Sequence, residues 1–295
     1  MIDATIVIPT YRHAALLPYA IRSALGQGGA SIELLVIGDG VEDDTRAAVN
    51  VFLHDERVRF FDFPKGERNG ELGRHEALQS ARGRVVCYLS DDDLLLPDHV
   101  VDMLRLLEDA DFAHSAPVVV MPDGSLRYGP IDMARPEFHA LLLRGGWNKI
   151  SLTGAAHTLE AYRRLPYGWR PGPANVWSDL HMWQQFVRQP WFRGRTGPRL
   201  THLHMPDQDR REVPVAERVA ELERWWARIH EPGFADELER MVAHVVREGA
   251  VAREARIHEL KGVIRDVQAT RWWRLRTRLA TSSAYRAARD GRKSP

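Results

Sequence analysis

Along the first hundred residues the apolar positions alternate between short continuous runs and runs spaced at three and four. Residues 4–8 (Ala-Thr-Ile-Val-Ile) have the length of a strand buried on both faces. Pro9, with no N–H to donate, is expected to end it. Leu17, Ile21, Ala24 and Leu25 then share a helical face within 14–25, and glycines 26, 28 and 29 break that helix. Residues 32–37 form a second strand, running into Gly38-Asp39-Gly40. Asp43 and Asp44 open a helix reaching about His54, and 58–63 make a third strand. A helix over 73–82 stops at Gly83, and the strand 85–89 runs straight into Ser90-Asp91-Asp92-Asp93. This order of elements predicts an α/β fold with a doubly wound, mostly parallel sheet and right-handed crossovers.

Beyond the acids, Pro97-Asp98 introduces an amphipathic helix with Val100, Val101, Leu104 and Leu107 on one face and Asp98 as its N-cap. Residues 112–115 and 117–121 read as further sheet, with a hairpin turn at 122–125 and a small-residue strand at 151–158. Thr201-His202-Leu203-His204 alternates as a strand does. From Pro214 to about Gln268 the pattern is helical, with Val219, Leu222, Trp226 and Ile229 on one stripe and a break at Glu231-Pro232-Gly233. Ile257, Leu260, Ile264 and Val267 keep heptad-like spacing for about two heptads, compatible with docking or with a homodimer.

Composition alters this picture in two places. The 295 residues carry a net charge of +1, but 271–295 hold eight basic groups against one acid, so the remainder is net acidic at −6. Trp272 and Trp273 interleave with those arginines, a composition suited to an anionic membrane surface; no nucleic-acid module accompanies it. The single cysteine, Cys87, excludes a disulfide framework, and no apolar stretch approaches the roughly 20 residues of a spanning helix. A cytoplasmic protein, peripheral on the inner face of the plasma membrane, is expected. The expected divisions are 1–212 as the catalytic domain (1–100 a nucleotide-binding half, 101–212 an acceptor half), 213–270 as a helical extension, and 271–295 as a basic tail.

Three strand ends bring chemistry to one sheet edge: Pro9-Thr10-Tyr11, Asp39-Gly40 and Asp91-Asp92-Asp93. Adjacent carboxylates repel, and a divalent cation with a preference for oxygen ligands, Mg²⁺ or Mn²⁺, relieves them and binds phosphate in turn. A solvated acidic turn is the plainer reading of the triplet. No G-x-G-x-x-G follows the first strand and no G-x-x-x-x-G-K-[ST] occurs, so phosphates would be held by metal and side chains.

Ile8-Pro9-Thr10-Tyr11-Arg12, Gly38-Asp39-Gly40, Gly73-Arg74-His75-Glu76-Ala77-Leu78 and Leu89-Ser90-Asp91-Asp92-Asp93 resemble, in order, the signatures of family 2 glycosyltransferases, inverting enzymes of the GT-A fold. The resemblance covers roughly residues 4–210. It implies a nucleotide-sugar site built from Pro9, Thr10, Tyr11, Arg12, Asp39, Arg74, Asp91 and Asp92, with Asp39 on the base and Arg74 near the diphosphate. Asp91, Asp93 and His204 (His202 as second choice) would hold Mn²⁺ or Mg²⁺. Trp177-Ser178-Asp179 resembles the acidic segment that opens the acceptor-side helix; the usual paired acids are reduced here to Asp179, the implied general base, or else a helix cap. His157, unless simply a buried histidine, and Trp177 would lie on the acceptor side, and Arg210 or Arg211 would reach phosphate. The donor would be UDP-, GDP- or dTDP-linked and the acceptor a glycan or lipid-linked hydroxyl, in bacterial cell-surface polysaccharide synthesis. A haloacid-dehalogenase-type phosphohydrolase would place its acids after the first strand rather than the fourth. A non-catalytic nucleotide-sugar or glycan-binding scaffold is the remaining alternative.

Overall fold

The computed structural model describes residues 2–146, 148–273 and 276. The basic tail beyond 276, with Arg278, Arg286, Arg289 and Arg292, lies outside the described residues, as does Trp147. Strands β1 (Ala4–Thr10), β2 (Ile32–Asp39), β3 (Val58–Phe63) and β4 (Val85–Tyr88) alternate with helices α1 (Leu17–Leu25), α2 (Asp43–Asn50) and α3 (Glu71–Gln79). A short β5 (Leu94–Leu95) and α4 (His99–Leu106) follow, then β6 (Phe112–Ser115), the hairpin β7 (Val118–Val120) and β8 (Leu126–Tyr128), and α5 (Pro136–Arg144). Next come β9 (Ala155–Thr158), α6 (Leu159–Arg163), α7 (Ser178–Val187), β10 (Gly194–Gly197) and β11 (His202–Leu203). Two helices complete the order, α8 (Val215–Ile229) and α9 (Phe234–Ala269).

The central sheet runs β10-β6-β9-β4-β1-β2-β3. Its strands are parallel except β9, which is antiparallel to both β4 and β6. Side chains point alternately to the two faces of a strand. Ile6, Ile8, Leu34, Val36, Val85 and Cys87 therefore enter one core cluster, and Val7, Leu35, Ile37, Val86 and Tyr88 the other. Both faces are covered, which is why these strands read as continuous apolar runs. Cys87 is fully buried and its thiol is pushed up to about 12, so it is plain core.

Several boundaries differ from the sequence reading. Pro9 does not end β1, which continues to Thr10. Val7 accepts the Leu89 N–H at 3.0 Å, so Val7 and, two residues on, Pro9 turn their backbone toward β4. The β1–β4 ladder has already stopped at Val7, and the missing N–H leaves no partner waiting. Helix α2 stops at Asn50 rather than near His54, and α3 begins at Glu71. Only 155–158 of the expected strand 151–158 joins the sheet; Gly154 turns at φ +86°, where a Cβ would meet the His202 ring at 2.3 Å. On α8 the buried tryptophan is Trp225, not Trp226. Two compact units are distinguished, 1–242 and 243–295. In the second, Ile257, Leu260, Ile264 and Val267 are exposed along α9. Among the described residues no helix is long and apolar enough to cross a membrane.

One buried charge holds the sheet edge remote from the acidic turn. Glu33 accepts from the Thr5 hydroxyl at 2.7 Å, the Arg82 N–H at 2.6 Å and the Arg82 guanidinium at 2.7 Å. Burial opposes its ionisation, but these donors outweigh burial and hold the carboxyl below its ordinary value. A lowered carboxyl contributes stability above its unfolded value of 4.5 and loses it as pH falls through the folded value. Glu33→Gln is expected to cost about 1.5–3 kcal/mol in urea unfolding at neutral pH, the range for hydrogen bonds to charged groups. The same melts at pH 3 should show a smaller difference between variant and native chain.

Candidate active site

The carboxyl ends of β1, β2 and β4 meet the start of β9 at one edge of the sheet, the edge where open α/β sheets bind ligands. There the three adjacent acids turn to three different sets of partners. Asp91 accepts the Tyr11 N–H at 3.2 Å and lies 2.8 Å from Nδ1 of His13. Asp92 accepts from the Arg218 guanidinium at 3.1 Å. Asp93, fully buried, accepts the Met205 N–H at 2.6 Å and a hydrogen bond from the Thr153 hydroxyl, and lies 2.8 Å from Nδ1 of His204. Thr153 in turn accepts the Ser90 N–H at 2.9 Å, so one hydroxyl fixes the turn at two points.

These contacts set the charge states. Burial alone would lower His13, but the Asp91 hydrogen bond and the charges of Asp91 and Asp92 raise it to about 9. Burial and the neighbouring charges of Asp93 and Asp91 push Asp92 up to about 8. For Asp93 burial raises the carboxyl, yet the charge and hydrogen bond of His204 and the donors Met205 and Thr153 leave it below the usual range. His204 is raised correspondingly, Asp93 overcoming the effect of burial.

Buried carboxylate oxygens beside an imidazole nitrogen are a donor set that fits Mn²⁺ or Mg²⁺. Of the expected ligands, Asp93 and His204 come together, whereas Asp91 is turned toward His13. Among the described residues a different group brings its ligand atoms within 4.8 Å: His13, Asp92 and Asp207. Arg218 already bridges the two carboxylates of that group, reaching Asp207 at 2.9 Å.

Asp39 closes β2 beside a cavity of about 210 Å³, lined among others by Phe63, Gly66, Gly70, Leu72 and Gly73. Its carboxylate is engaged by the Gly66 N–H and the Lys65 ammonium, both at 2.6 Å. Gly70, at φ +70°, packs so closely on Asp39 that a Cβ would lie 2.8 Å from the carboxyl carbon. The Tyr11 ring is exposed, with the Arg12 guanidinium at 4.8 Å and Lys65 at 5.1 Å from its centre. Arg12 has a left-handed backbone (φ 59°), a conformation that costs a non-glycine residue energy and gathers at ligand sites. Behind Tyr11, the buried hydroxyl of Thr10 has no hydrogen-bond partner. Arg74, from α3, is buried with its guanidinium 4.6 Å over the Trp169 ring, and its Nε is unpartnered.

Within the field of Arg74, Asp179 sits in the first turn of α7, accepting the Leu180 N–H at 2.7 Å; Trp177, not Asp179, occupies the cap position. Burial raises the Asp179 carboxyl, opposed by the Leu180 N–H and by the charges of Arg74 and His204. Trp177 is 53% exposed beside it. His157, expected on the acceptor side, is fully buried in the aromatic core instead. Its ring nitrogens meet the Tyr88 hydroxyl at 2.8 Å and the Thr158 carbonyl at 2.9 Å, and burial pushes it down to about 4. His202 pairs with the Ser115 hydroxyl at 2.5 Å, away from the acids. Arg210 is 2% exposed and bound to Glu221, so it is structural rather than free to reach phosphate. Sequence reasoning missed His13, Thr153 and Arg218, for which no local pattern exists; Lys65 stood next to a glycine in a visible loop.

The succinoglycan biosynthesis protein ExoO of Rhizobium meliloti is 36% identical over 116 residues, 38% of this chain and 30% of that one. The GalNAc(5)-diNAcBac-PP-undecaprenol beta-1,3-glucosyltransferase of Campylobacter jejuni is 28% identical over 111 residues, 37% of this chain. The match thus spans about a third of each relative's length. The crystal structure of S. aureus TarS 1-349 in complex with UDP-GlcNAc shares the fold, with a TM-score of 0.55 over 69% of this chain and 58% of that one at 14% identity. The family model described as glycosyl transferase family 2 matches residues 5–167, more than half of the sequence and the segment that supplies the acidic turn, Asp39 and Arg74, and the chain belongs to that family.

Proposed function

We propose that this chain is a metal-dependent inverting glycosyltransferase, moving a sugar from a nucleotide-diphospho donor to a hydroxyl of a glycan or lipid-linked acceptor. The observation that supports it most is the grouping of Asp93 with His204 at the acidic turn while Asp179 lies within the field of both His204 and Arg74. The pair that would hold a cation and a carboxylate with a raised pKa thus lie within electrostatic reach of one another. Tyr11 and Asp39 would take the nucleoside at the cavity beside β2, with Lys65 and Gly66 orienting the Asp39 carboxylate. Arg74 would approach the diphosphate, where an unpartnered Nε gives it a donor to offer. Asp93 and His204 would hold Mn²⁺ or Mg²⁺, with Asp91 available if His13 releases it. Bound there, the cation would act as a Lewis acid toward the departing nucleoside diphosphate.

Asp179 would take the proton of the acceptor hydroxyl. That oxygen then forms its bond to the anomeric carbon from the face opposite the phosphate, as the bond to the diphosphate oxygen breaks, so the configuration inverts. Asp179's burial raises its basicity, and the cations Arg74 and His204 keep it ionised. Exposed Trp177 offers a stacking wall for the acceptor sugar. A lipid-linked acceptor is supported by the Campylobacter relative, whose name specifies an undecaprenol carrier, and bacterial polysaccharide synthesis by the Rhizobium one. Work on such an acceptor would place the chain at the inner face of the plasma membrane.

Titrating UDP, GDP and dTDP by calorimetry in the presence of Mn²⁺ should show tight binding of one of them. That binding should disappear with EDTA and in Asp93→Ala; no binding of any nucleotide would set the reading aside in favour of a scaffold. Asp179→Asn should retain nucleotide binding within about twofold while transfer falls by roughly 10²–10⁴, the usual contribution of a general base. In the native enzyme the acid limb of the rate profile should lie above 3.8, the ordinary aspartate value, because Asp179 must be ionised to act and its carboxyl is raised.

A further inference from the structure

Arg218 comes to the acidic turn from α8, 126 positions beyond Asp92 in the chain. Its two terminal nitrogens divide between carboxylates, 3.1 Å to Asp92 and 2.9 Å to Asp207. His13 completes the group, with Nε2 3.4 Å from Asp207 and Nδ1 2.8 Å from Asp91. The Arg218–Asp92 half of this pairing is buried, whereas the Asp207 side chain is 48% exposed. Arg218 is 8% exposed, its Nε is buried without a partner, and Leu16, Met205 and Leu222 line the space around it. A second buried arginine anchors the same helix: Arg210 binds Glu221 of α8 at 2.6 and 2.8 Å and the Val120 carbonyl at 3.0 Å.

The ligand atoms of His13, Asp92 and Asp207 lie within 4.8 Å of one another, a spacing that would hold a divalent cation. The acidic turn therefore offers two places for positive charge, this group and the Asp93–His204 pair. We propose that Arg218 is a built-in cation, a positioning residue that fills the first place and so confines divalent-cation binding to the second. A guanidinium suits that task better than a lysine. It is planar, bridges two carboxylates in fixed directions and keeps its proton. Carried on α8, it also makes the choice of cation site depend on that helix being docked. The inference rests on the donor-site reading above, which supplies the exchangeable cation.

The test is to count Mn²⁺ bound to the full chain by equilibrium dialysis, with Mn²⁺ alone and with UDP, GDP or dTDP added. The native chain should bind one equivalent. Arg218→Gln should bind a second, which the further change Asp207→Asn removes, and Arg218→Lys should stay at one. One equivalent in an Arg218→Gln chain whose circular dichroism matches the native chain overturns the inference and leaves the donor site standing. Asp207→Asn in the native background provides a check that does not require Arg218→Gln to fold. It should still bind one equivalent, and loss of that equivalent would show that the Arg218 group is itself the metal site. Absence of Mn²⁺ from the native chain with every nucleotide removes the donor-site reading and this inference together.

Discussion

Three carboxylates in consecutive positions at the end of a buried strand cannot all be ionised unless something separates and neutralises them. The rest of the site is arranged around that requirement. Each acid is drawn toward a different part of the chain: Asp91 to the loop after β1, Asp92 to α8, Asp93 to the segments before β9 and after β11. The cost of burying charge is met by opposite charge and hydrogen-bond donors at close range. It is met unevenly, so that Asp93 stays ionised while Asp92 is pushed up. The consequence is an order within the triplet, with one acid held low by a histidine and two hydrogen-bond donors and another paired with an arginine.

The sheet is what delivers these partners to one place. Three parallel strands, β1, β2 and β4, each buried on both faces, end at the same edge, and loops extend from them into the site. Asp39 and Arg74 illustrate how closely fold and site are joined. Asp39 is the last residue of β2, and a glycine packs against its carboxyl carbon. Arg74 spans from the field of Asp39 to that of Asp179 while stacking on the core indole of Trp169. Asp39 and Asp179 therefore share the field of one buried cation.

The first half of the fold was legible because its strands are continuous apolar runs punctuated by glycine and its motifs are contiguous. The acidic turn, Asp39, Arg74 and Asp179 all stand in short segments that can be recognised where they occur. What could not be read was partnership across distance. His13, Thr153 and Arg218 meet the triplet over separations of 78, 60 and 126 positions, and nothing local distinguishes them from surface residues. Histidines were ambiguous for the same reason: His157 lies within the short β9 and His204 just beyond the short β11, and only packing sends one into the aromatic core and the other to Asp93. The extent of β1 was misjudged because a proline's effect depends on which neighbour its missing N–H would have faced.

The reversal of β9 gives the site an unusual entrance. Its neighbours leave the sheet at this edge, whereas β9 arrives here, so Thr153 reaches Asp93 from the segment ahead of its strand. The connection between α5 and β9 therefore enters the site through Thr153, whose hydroxyl is anchored by the strand it precedes. A single hydroxyl thus ties the segment that enters β9 to the segment that leaves β4.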